Sequence, residues 1–418
     1  MHFRLFKHCI LFSCLAAFSA RAQDTLKINL LQADSIFLRN NLSLIASSLN
    51  VEAQKAQVIQ SKAYPNPVFT ADLNAYDPEN GRLLHIDNTG QKALQLEQLI
   101  ILGGKRKSEI ELARTNAIIA ELEMEQLLRQ LRFRLRTDLF SIGQQLFLLR
   151  KYNNQLDQLS ALITAYETQV NNGNVPLKDL VRLKGAYLKL LNDRAELLKS
   201  YYATQAGLQT MLSTSAVVEF AFADEEVEKY IQLKEPGEIL AAAQQNRPEL
   251  LITQQEKALA EQYLLYQQRL AVPDVNLFTS YDQRGGAFGN QVNVGFSIPL
   301  PLWNRNQGNI KSARFKVKEA DYKVQAMQHE ITNEIRNAFA VYTHTVSEYQ
   351  NAKALYTSDF ELTAKGMFEN FQKSNVSIVE FIDFFEAYNE VLAEITRIKT
   401  QLVIAAEQIN LLTGKDIY

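Results

Sequence analysis

The sequence predicts a mainly α protein with a small β part, built from two copies of one unit that runs helix, two short strands, long helix, tight turn, long helix. Three observations predict it. One repeat spans almost the whole chain, each copy holds a long stretch without proline that carries a heptad seam, and each copy has two short stretches of alternating apolar and polar residues. The 418 residues include only 16 glycines and nine prolines, which favours long uninterrupted helices.

The N-terminus comes first. Arg4 and Lys7 precede an apolar stretch from Cys9 to Phe18 that is too short to span a bilayer, and Ala20-Arg21-Ala22 is a small-x-small cleavage site. Residues 1–22 therefore read as a signal peptide. Its removal leaves 41 basic against 46 acidic residues, a charge of −5, with no nucleic-acid footprint. Both cysteines, Cys9 and Cys14, lie in this segment, so the mature chain is expected to have no thiol and no disulfide. No later stretch has the ~20 apolar residues that a transmembrane helix needs. An exported chain of this kind is periplasmic, secreted, or an outer-membrane β-barrel.

The two copies align segment by segment, the starts of the long helices at an offset of 200. Leu102-Gly103-Gly104-Lys105 through Ala113-Arg114 matches Leu302-Trp303-Asn304-Arg305 through Ala313-Arg314. Asn40-Asn41-Leu42-Ser43-Leu44 matches Asn246-Arg247-Pro248-Glu249-Leu250, Pro65-Asn66-Pro67 matches Pro273-Asp274-Val275, and Gly173-Asn174-Val175 matches Ser374-Asn375-Val376. The chain divides accordingly into the signal at 1–22, a first repeat at 23–212, a polar linker at 213–236 and a second repeat at 237–418.

Each copy's long helix carries the same seam. Ile110, Ala113, Ala117, Ala120, Met124, Leu127, Leu131, Leu135 and Leu139 step by three and four, and so do Ile310, Ala313, Val317, Ala320, Val324, Met327, Ile331, Ile335 and Phe339. This is a heptad pattern with an inserted four-residue step at the same place in both copies. The helices are expected from Gly104 to about Val170 and from Arg305 to about Gln372, each on the order of 100 Å long.

Strands are expected at about 67–77, 91–102, 274–283 and 290–301. Val292, Val294, Phe296 and Ile298 alternate with Asn293, Gly295 and Ser297; Phe69, Ala71, Leu73 and Ala75 alternate with Thr70, Asp72 and Asn74. The connections Asp77–Gly90 and Asp282–Gly289 are largely polar, as external loops would be. Tyr64, Tyr76, Tyr281 and Trp303 lie near strand ends, where an aromatic girdle would form. Four strands cannot close a barrel, and an open edge in lipid leaves unpaired backbone groups at several kcal/mol each. Strands that enter lipid must therefore be shared between chains. Two protomers would supply eight strands and three would supply twelve; a barrel of eight is filled by its own side chains, so a conducting pore favours three.

Repeat, strand pairs, long helices and the Asn-x-Pro-x-Leu sequence at Asn246 together resemble the TolC family of outer-membrane efflux proteins, over about residues 25–414. Leu102-Gly-Gly-Lys-Arg and Ile298-Pro-Leu-Pro-Leu-Trp-Asn-Arg-Asn-Gln-Gly are similar to the CzcC-like subgroup that serves heavy-metal efflux. The resemblance implies duplicated long-helix hairpins in a trimeric α-barrel continuous with a 12-stranded transmembrane β-barrel, four strands per chain. It also implies a cell outer-membrane location with a long periplasmic extension, and a passive duct for divalent heavy-metal cations. The implied partners are outer-membrane lipid, a periplasmic adaptor (membrane fusion) protein and an inner-membrane pump of the resistance-nodulation-division type. Residues 213–236 would lie in the equatorial region.

The same resemblance makes Gly173, Asn174, Val175, Ser374, Asn375 and Val376 adaptor-docking tips, and makes Asp383, Glu380 and Asp179 acids at the periplasmic entrance. Three copies of an inward-facing acid would draw cations to a constriction; acids in a first helical turn also simply complement the helix dipole. No enzyme site is legible: His85, His329 and His344 are the mature histidines, and no HExxH, phosphate loop or Met/Cys cluster accompanies them. No cofactor and no bound metal are expected. A drug-efflux or type I secretion duct, a soluble periplasmic coiled-coil scaffold and an exported enzyme are the other readings.

Overall fold

Helix geometry follows the seams closely. The computed structural model describes residues 24–220, 224–232, 234–285 and 287–418, so the expected signal peptide lies outside the described residues. Helices α1 (Leu30–Asn40) and α2 (Leu42–Ser61) precede the first strands, and α3 (Lys105–Asn171) is one helix of 67 residues. After a tight turn, α4 runs from Leu177 to Leu212 and α5 from Asp224 to Glu228. The second copy contributes α6 (Pro236–Asn246), α7 (Pro248–Arg269), α8 (Gln307–Leu355), α9 (Ser358–Gln372) and α10 (Ile378–Thr413). Not one of the seam residues named above is exposed, whereas Arg114, Asn116 and Ile118, off the seam of α3, are.

Both copies break their first helix pair at the same residue. Asn41 and Arg247 are extended, at φ −67°, ψ 114° and φ −72°, ψ 118°. Pro248 enforces the break in the second copy, because the residue before proline is pushed out of the helical region. In the first copy Asn41 does it with its side chain: Oδ1 accepts the Leu44 amide at 3.0 Å, and Nδ2 donates to the Met211 carbonyl at 3.0 Å.

The second long helix is not continuous to Gln372 as expected; it stops at Leu355 and α9 starts at Ser358. Thr357 takes an extended conformation, φ −100° and ψ 172°. Thr357, Ser358 and Asp359 are residue types whose side chains favour helix starts over helix interiors.

The strands form a four-stranded antiparallel sheet in the order β2 (Val68–Leu73), β5 (Gln91–Ile100), β7 (Val275–Arg284) and β8 (Phe288–Ser297). The strand expected to reach residue 77 ends at Leu73, and Tyr76–Asp77 (β3) instead pairs with Arg82–Leu83 (β4) in a separate hairpin. The last strand stops at Ser297 short of 301, because Pro299 and Pro301 have no amide to donate. An element not expected from sequence is β1 (Thr25–Ile28), which pairs in parallel with β6 (Val217–Phe220). Part of the segment read as a linker is thus ordered strand.

Contacts divide the chain into two compact units, and each copy of the repeat contributes to both. One combines residues up to Ile45 with Leu127–Arg247 and Ile331–Tyr418; the other combines Ala46–Gln126 with Pro248–Glu330. The second unit contains the four-stranded sheet. Its strand-to-helix junction is pinned by Asp274, whose Oδ1 accepts the Leu102 amide at 2.8 Å and lies 2.8 Å from the buried Lys105 ammonium.

The first unit is organised around Arg136 of α3. Its guanidinium lies 3.2 Å from Glu407, 3.3 Å from Asp416 and 3.4 Å from Asp34, with the Arg136 and Glu407 side chains only 10% and 2% exposed. Burial by itself would lower the Arg136 pKa; Glu407, Asp416 and Asp34 outweigh it and hold the pKa above its ordinary value. Tyr230 donates to Glu407 at 3.0 Å, and Asn410 accepts the Ile417 and Tyr418 amides at 2.6 and 2.9 Å, tying the C-terminal segment to α10.

The ends of α4 and α10 show why the two copies differ by one residue type. Ser213 and Gly414 both take left-handed conformations, at φ 51° and 73°. Ser213 uses its hydroxyl to donate to the Asn40 carbonyl at 2.9 Å. At Gly414 the backbone itself is close, and a β-carbon would sit 2.6 Å from the Asn246 carbonyl oxygen. Gly414→Ala is expected to cost about 2 kcal/mol or more, from left-handed strain plus the clash. The midpoint of chemical denaturation reads this directly, and an unchanged midpoint would contradict it.

Candidate channel sheet and entrance turns

Cross-strand register sorts the sheet into two faces. Phe69 pairs with Leu96, Ala71 with Leu94, Leu277 with Phe296, Thr279 with Val294 and Tyr281 with Val292. Leu96 pairs onward with Thr279 and Leu94 with Tyr281, so all of these side chains share one face. That face is apolar and open: Val294 is 84% exposed, Phe296 and Val292 69%, and Phe69 65%. The opposite face carries Thr70, Asp72, Gln95, Glu97, Ser280, Asp282 and Asn293. Asp72, Ala93, Asp282 and Gln291 form one row straight across the four strands. Phe278 lies across from Gly295, where a β-carbon would meet its ring at 2.5 Å; the ring covers the glycine and fills the gap in the face.

The connection from β2 to β5 is ordered about His85. This side chain is buried, with Nδ1 2.6 Å from Asp77 and Nε2 3.0 Å from Thr89. Asp77 also accepts from the Asn80 side chain and from the Glu79 and Asn80 amides; the Asn80 side chain, then His85, holds its carboxyl well below the usual range. The hydroxyl and amide of Thr89, hydroxyl first, lower Asp87 to about 2. Asp77, His85 and Thr89 have the order of an acyl-transfer triad, but the Thr89 hydroxyl donates to Asp87 at 2.7 Å, so its proton is directed away from the imidazole. The group therefore shapes a loop. Among the described residues no set of three or more His, Cys, Asp or Glu is arranged to hold a metal ion, and no helix is long and apolar enough to cross a membrane.

The two tight turns are built alike. Gly173 and Ser374 have φ 75° and 61°. The amide of Asn174 donates to Gln169 and that of Asn375 to Asn370, both at 2.9 Å, while Gly173 and Ser374 donate to the carbonyls three residues back. These are Schellman closures. Val175 and Val376 are half-buried, and Gly173, Asn174, Ser374 and Asn375 are exposed. Beneath the turns lies an aromatic cluster that sequence reading did not single out: Phe371 stacks on Phe381 at 4.2 Å, Tyr166 on Phe371 at 5.6 Å, and Phe368 meets Phe381 edge-on at 5.0 Å. Its signal was the unusual density of Phe at 368, 371, 381, 384 and 385.

The three acids assigned to the entrance occupy the first two turns of α4 and α10, which share a core with α3. Asp179 and Glu380 are equivalent, each the third residue of its helix. Glu380 closes a capping box: its carboxylate accepts the Ser377 amide at 3.0 Å and hydroxyl at 2.8 Å, hydroxyl foremost in lowering its pKa. Pro176 stands where Ser377 does, so Asp179 has no such box. Asp179 is half-buried; burial, then the Asp179 charge, raises the Tyr166 pKa. Asp383 is exposed one turn further along α10.

Residues 239–415 match the protein family described as Outer membrane efflux protein. The chain is 24% identical to the cobalt-zinc-cadmium resistance protein CzcC of Cupriavidus metallidurans over 291 residues, 69% of this chain and 65% of that protein, so the match spans somewhat less than two thirds of the relative's length. Its fold is similar to that of CusC, with a TM-score of 0.72, 16% identity and 92% of each chain covered. It is also similar to the Campylobacter jejuni CmeC outer membrane channel, with a TM-score of 0.74, 14% identity, and 93% of this chain and 87% of that one covered. Residues 239–415 thus match the outer membrane efflux protein family, and the fold of this mainly helical chain with its small two-faced sheet is similar to that of CusC and of the CmeC outer membrane channel.

Proposed function

We propose that the chain is one protomer of a passive efflux duct: a homotrimer whose three four-stranded sheets close a twelve-stranded barrel continuous with a barrel of the long helices. The sheet carries this proposal. One of its faces is apolar and open, the other is polar, and β2 and β8 are outer edges without a strand partner in the chain among the described residues. In water such a face and such edges invite aggregation; in a lipid-facing closed barrel both are satisfied. Reconstitution in planar bilayers tests it. Stepwise conductance and a trimer band on chemical cross-linking are expected, and a monomer that does not conduct would overturn the proposal.

A periplasmic adaptor and an inner-membrane resistance-nodulation-division pump would deliver cargo to the turns at Gly173–Val175 and Ser374–Val376. Divalent heavy-metal cations are the proposed cargo, supported by the relative named for cobalt, zinc and cadmium resistance. Loss of the gene should lower zinc, cobalt and cadmium tolerance. Unchanged metal tolerance with increased drug sensitivity would move the cargo to the drug class.

Asp383, Glu380 and Asp179 are the proposed entrance acids. Of the three, Asp383 is the exposed one without a capping box of its own, and so the one whose charge is available to ions. Asp383→Ala is expected to enlarge single-channel conductance and weaken block by divalent cations. Currents identical to those of the unmodified channel would remove Asp383 from the constriction.

A further inference from the structure

In the unit that holds the four-stranded sheet, the helices stand in the same order as the strands they adjoin. Lys55 of α2 lies 3.0 Å from Glu121 of α3, and Lys257 of α7 lies 2.6 Å from Asp321 of α8, so each copy ties its own two helices together through an equivalent acid. Between the copies, Thr115 of α3 donates to Gln262 of α7 at 3.0 Å, and Tyr266 of α7 donates to Glu109 of α3 at 3.0 Å. The row is therefore α2, α3, α7, α8, beside a sheet ordered β2, β5, β7, β8. Its end helices, α2 and α8, are the chain neighbours of the edge strands β2 and β8.

The duplication says what each end of the row lacks. Helices α3 and α8 correspond at an offset of 200, and α2 and α7 at an offset of 206, set by Asn40 and Asn246. The α3–α7 contact is antiparallel, because Thr115, later in α3 than Glu109, meets Gln262, earlier in α7 than Tyr266. One heptad further along, Leu122 comes level with Gln255. Carried over to the other copy of each helix, these two levels become Phe315 with Ala56 and Tyr322 with Leu49. Inside the chain the four positions are covered: Thr115 is 4% exposed, and Gln262, Leu122 and Gln255 are half-buried. Their counterparts are all open, Tyr322 at 71%, Leu49 at 65%, Phe315 at 60%, and Ala56 exposed as well. Two aromatic side chains thus stand uncovered on α8 where the same place on α3 has a helix over it, and smaller apolar residues stand uncovered on α2. We propose that α8 of one protomer packs along α2 of the next as α3 packs along α7 inside the chain, with Phe315 against the partner's Ala56 and Tyr322 against the partner's Leu49. The contact is head-to-tail, the kind that closes a ring and not a two-fold dimer. It continues the pairing of edges β8 and β2 and rests on the shared-barrel reading above.

Disulfide trapping in membranes tests this on the full chain, whose only cysteines, Cys9 and Cys14, lie in the expected signal peptide. Facing positions on packed helices come within about 7 Å between α-carbons, the reach of a disulfide. Ala56 and Phe315 of one chain have α3 and α7 between them, so a bond between these positions joins two copies. Both are exposed in the protomer, so cysteine there leaves its folding unaffected. Ala56→Cys/Phe315→Cys is expected to run as dimers and trimers on non-reducing gels and to collapse to monomer on reduction. Neither single variant should cross-link, and the two single variants expressed together should give dimers only. Ala56→Cys/Lys323→Cys, with its second cysteine about 12 Å further along α8, should stay monomeric on the same gels. An amine-reactive cross-linker applied to each sample reports whether trimers are present at all. Trimers without the Ala56–Phe315 disulfide would overturn this helix pairing and leave the duct proposal standing, whereas monomer under both treatments would overturn both. Cross-linking of either single variant to itself would mean a two-fold contact and would also overturn the pairing.

Discussion

Arg136→Leu will destabilise the unit built on α3, α4 and α10 by about 3–5 kcal/mol, the usual consequence of stranding a buried charge. Glu407 is the residue stranded. Its side chain is 2% exposed, and without the guanidinium the neutral donors Tyr230 at 3.0 Å and Asn410 at 3.1 Å would remain beside it among the described residues. Asp34 and Asp416 lose the same partner. Arg136→Lys should recover only part of the loss, since a point charge cannot reach three carboxylates as the planar fork does. The double variant Arg136→Leu/Glu407→Leu should recover most of it, because the buried charge is then gone. Thermal unfolding followed by circular dichroism checks all three, and a melting curve for Arg136→Leu within about 1 kcal/mol of the unmodified chain would contradict the assignment.

Adjacent residues of β8 should respond in opposite ways to the same substitution. Val294 is on the apolar face and 84% exposed; Asn293 is on the polar face. If the apolar face meets lipid, Val294→Arg costs about 2–4 kcal/mol per protomer near mid-membrane, repeated in every protomer of the barrel. The variant should be lost from the outer-membrane fraction and lose heat-modifiable migration. Asn293→Arg should insert normally and reduce cation preference, because in the proposed barrel it would add positive charge to a water-filled lumen lined also by Asp72, Glu97 and Asp282. Equal retention of the two variants would show that the sheet does not face lipid on one side and water on the other.

Much of the helical architecture was legible because it is local. A seam such as Ala113, Ala117, Ala120 faces one way on any helix, and no seam position is exposed in the structure. The break before Ser358 was also written locally, in Thr357-Ser358-Asp359. It was overlooked because no glycine or proline marks it. Strand β1 was not legible at all: four residues show no usable periodicity, and Thr25–Ile28 is a strand only because Val217–Phe220 lies beside it. At the start of α10, spacing placed Glu380 and Asp383 on one helix face, but the Ser377 capping box that occupies Glu380 appeared only with the backbone geometry.

Spacing and residue type alone determined the duplication, the long helices, the alternation of the strands and the positions of the acids, since each depends on neighbours within a few turns. Tertiary structure decided what distant residues do together. Arg136 reads as one more charge on a long helix until Glu407, 271 residues away, is packed against it. Asp72 and Asp282 share a row only because β5 lies between their strands in that register. Asn389 is an ordinary helical asparagine until α4 closes over it and removes the water from its oxygen. Burial and strand register are properties of the folded chain, and they turn these side chains from separate polar residues into a core ion network, a polar sheet face and a buried amide.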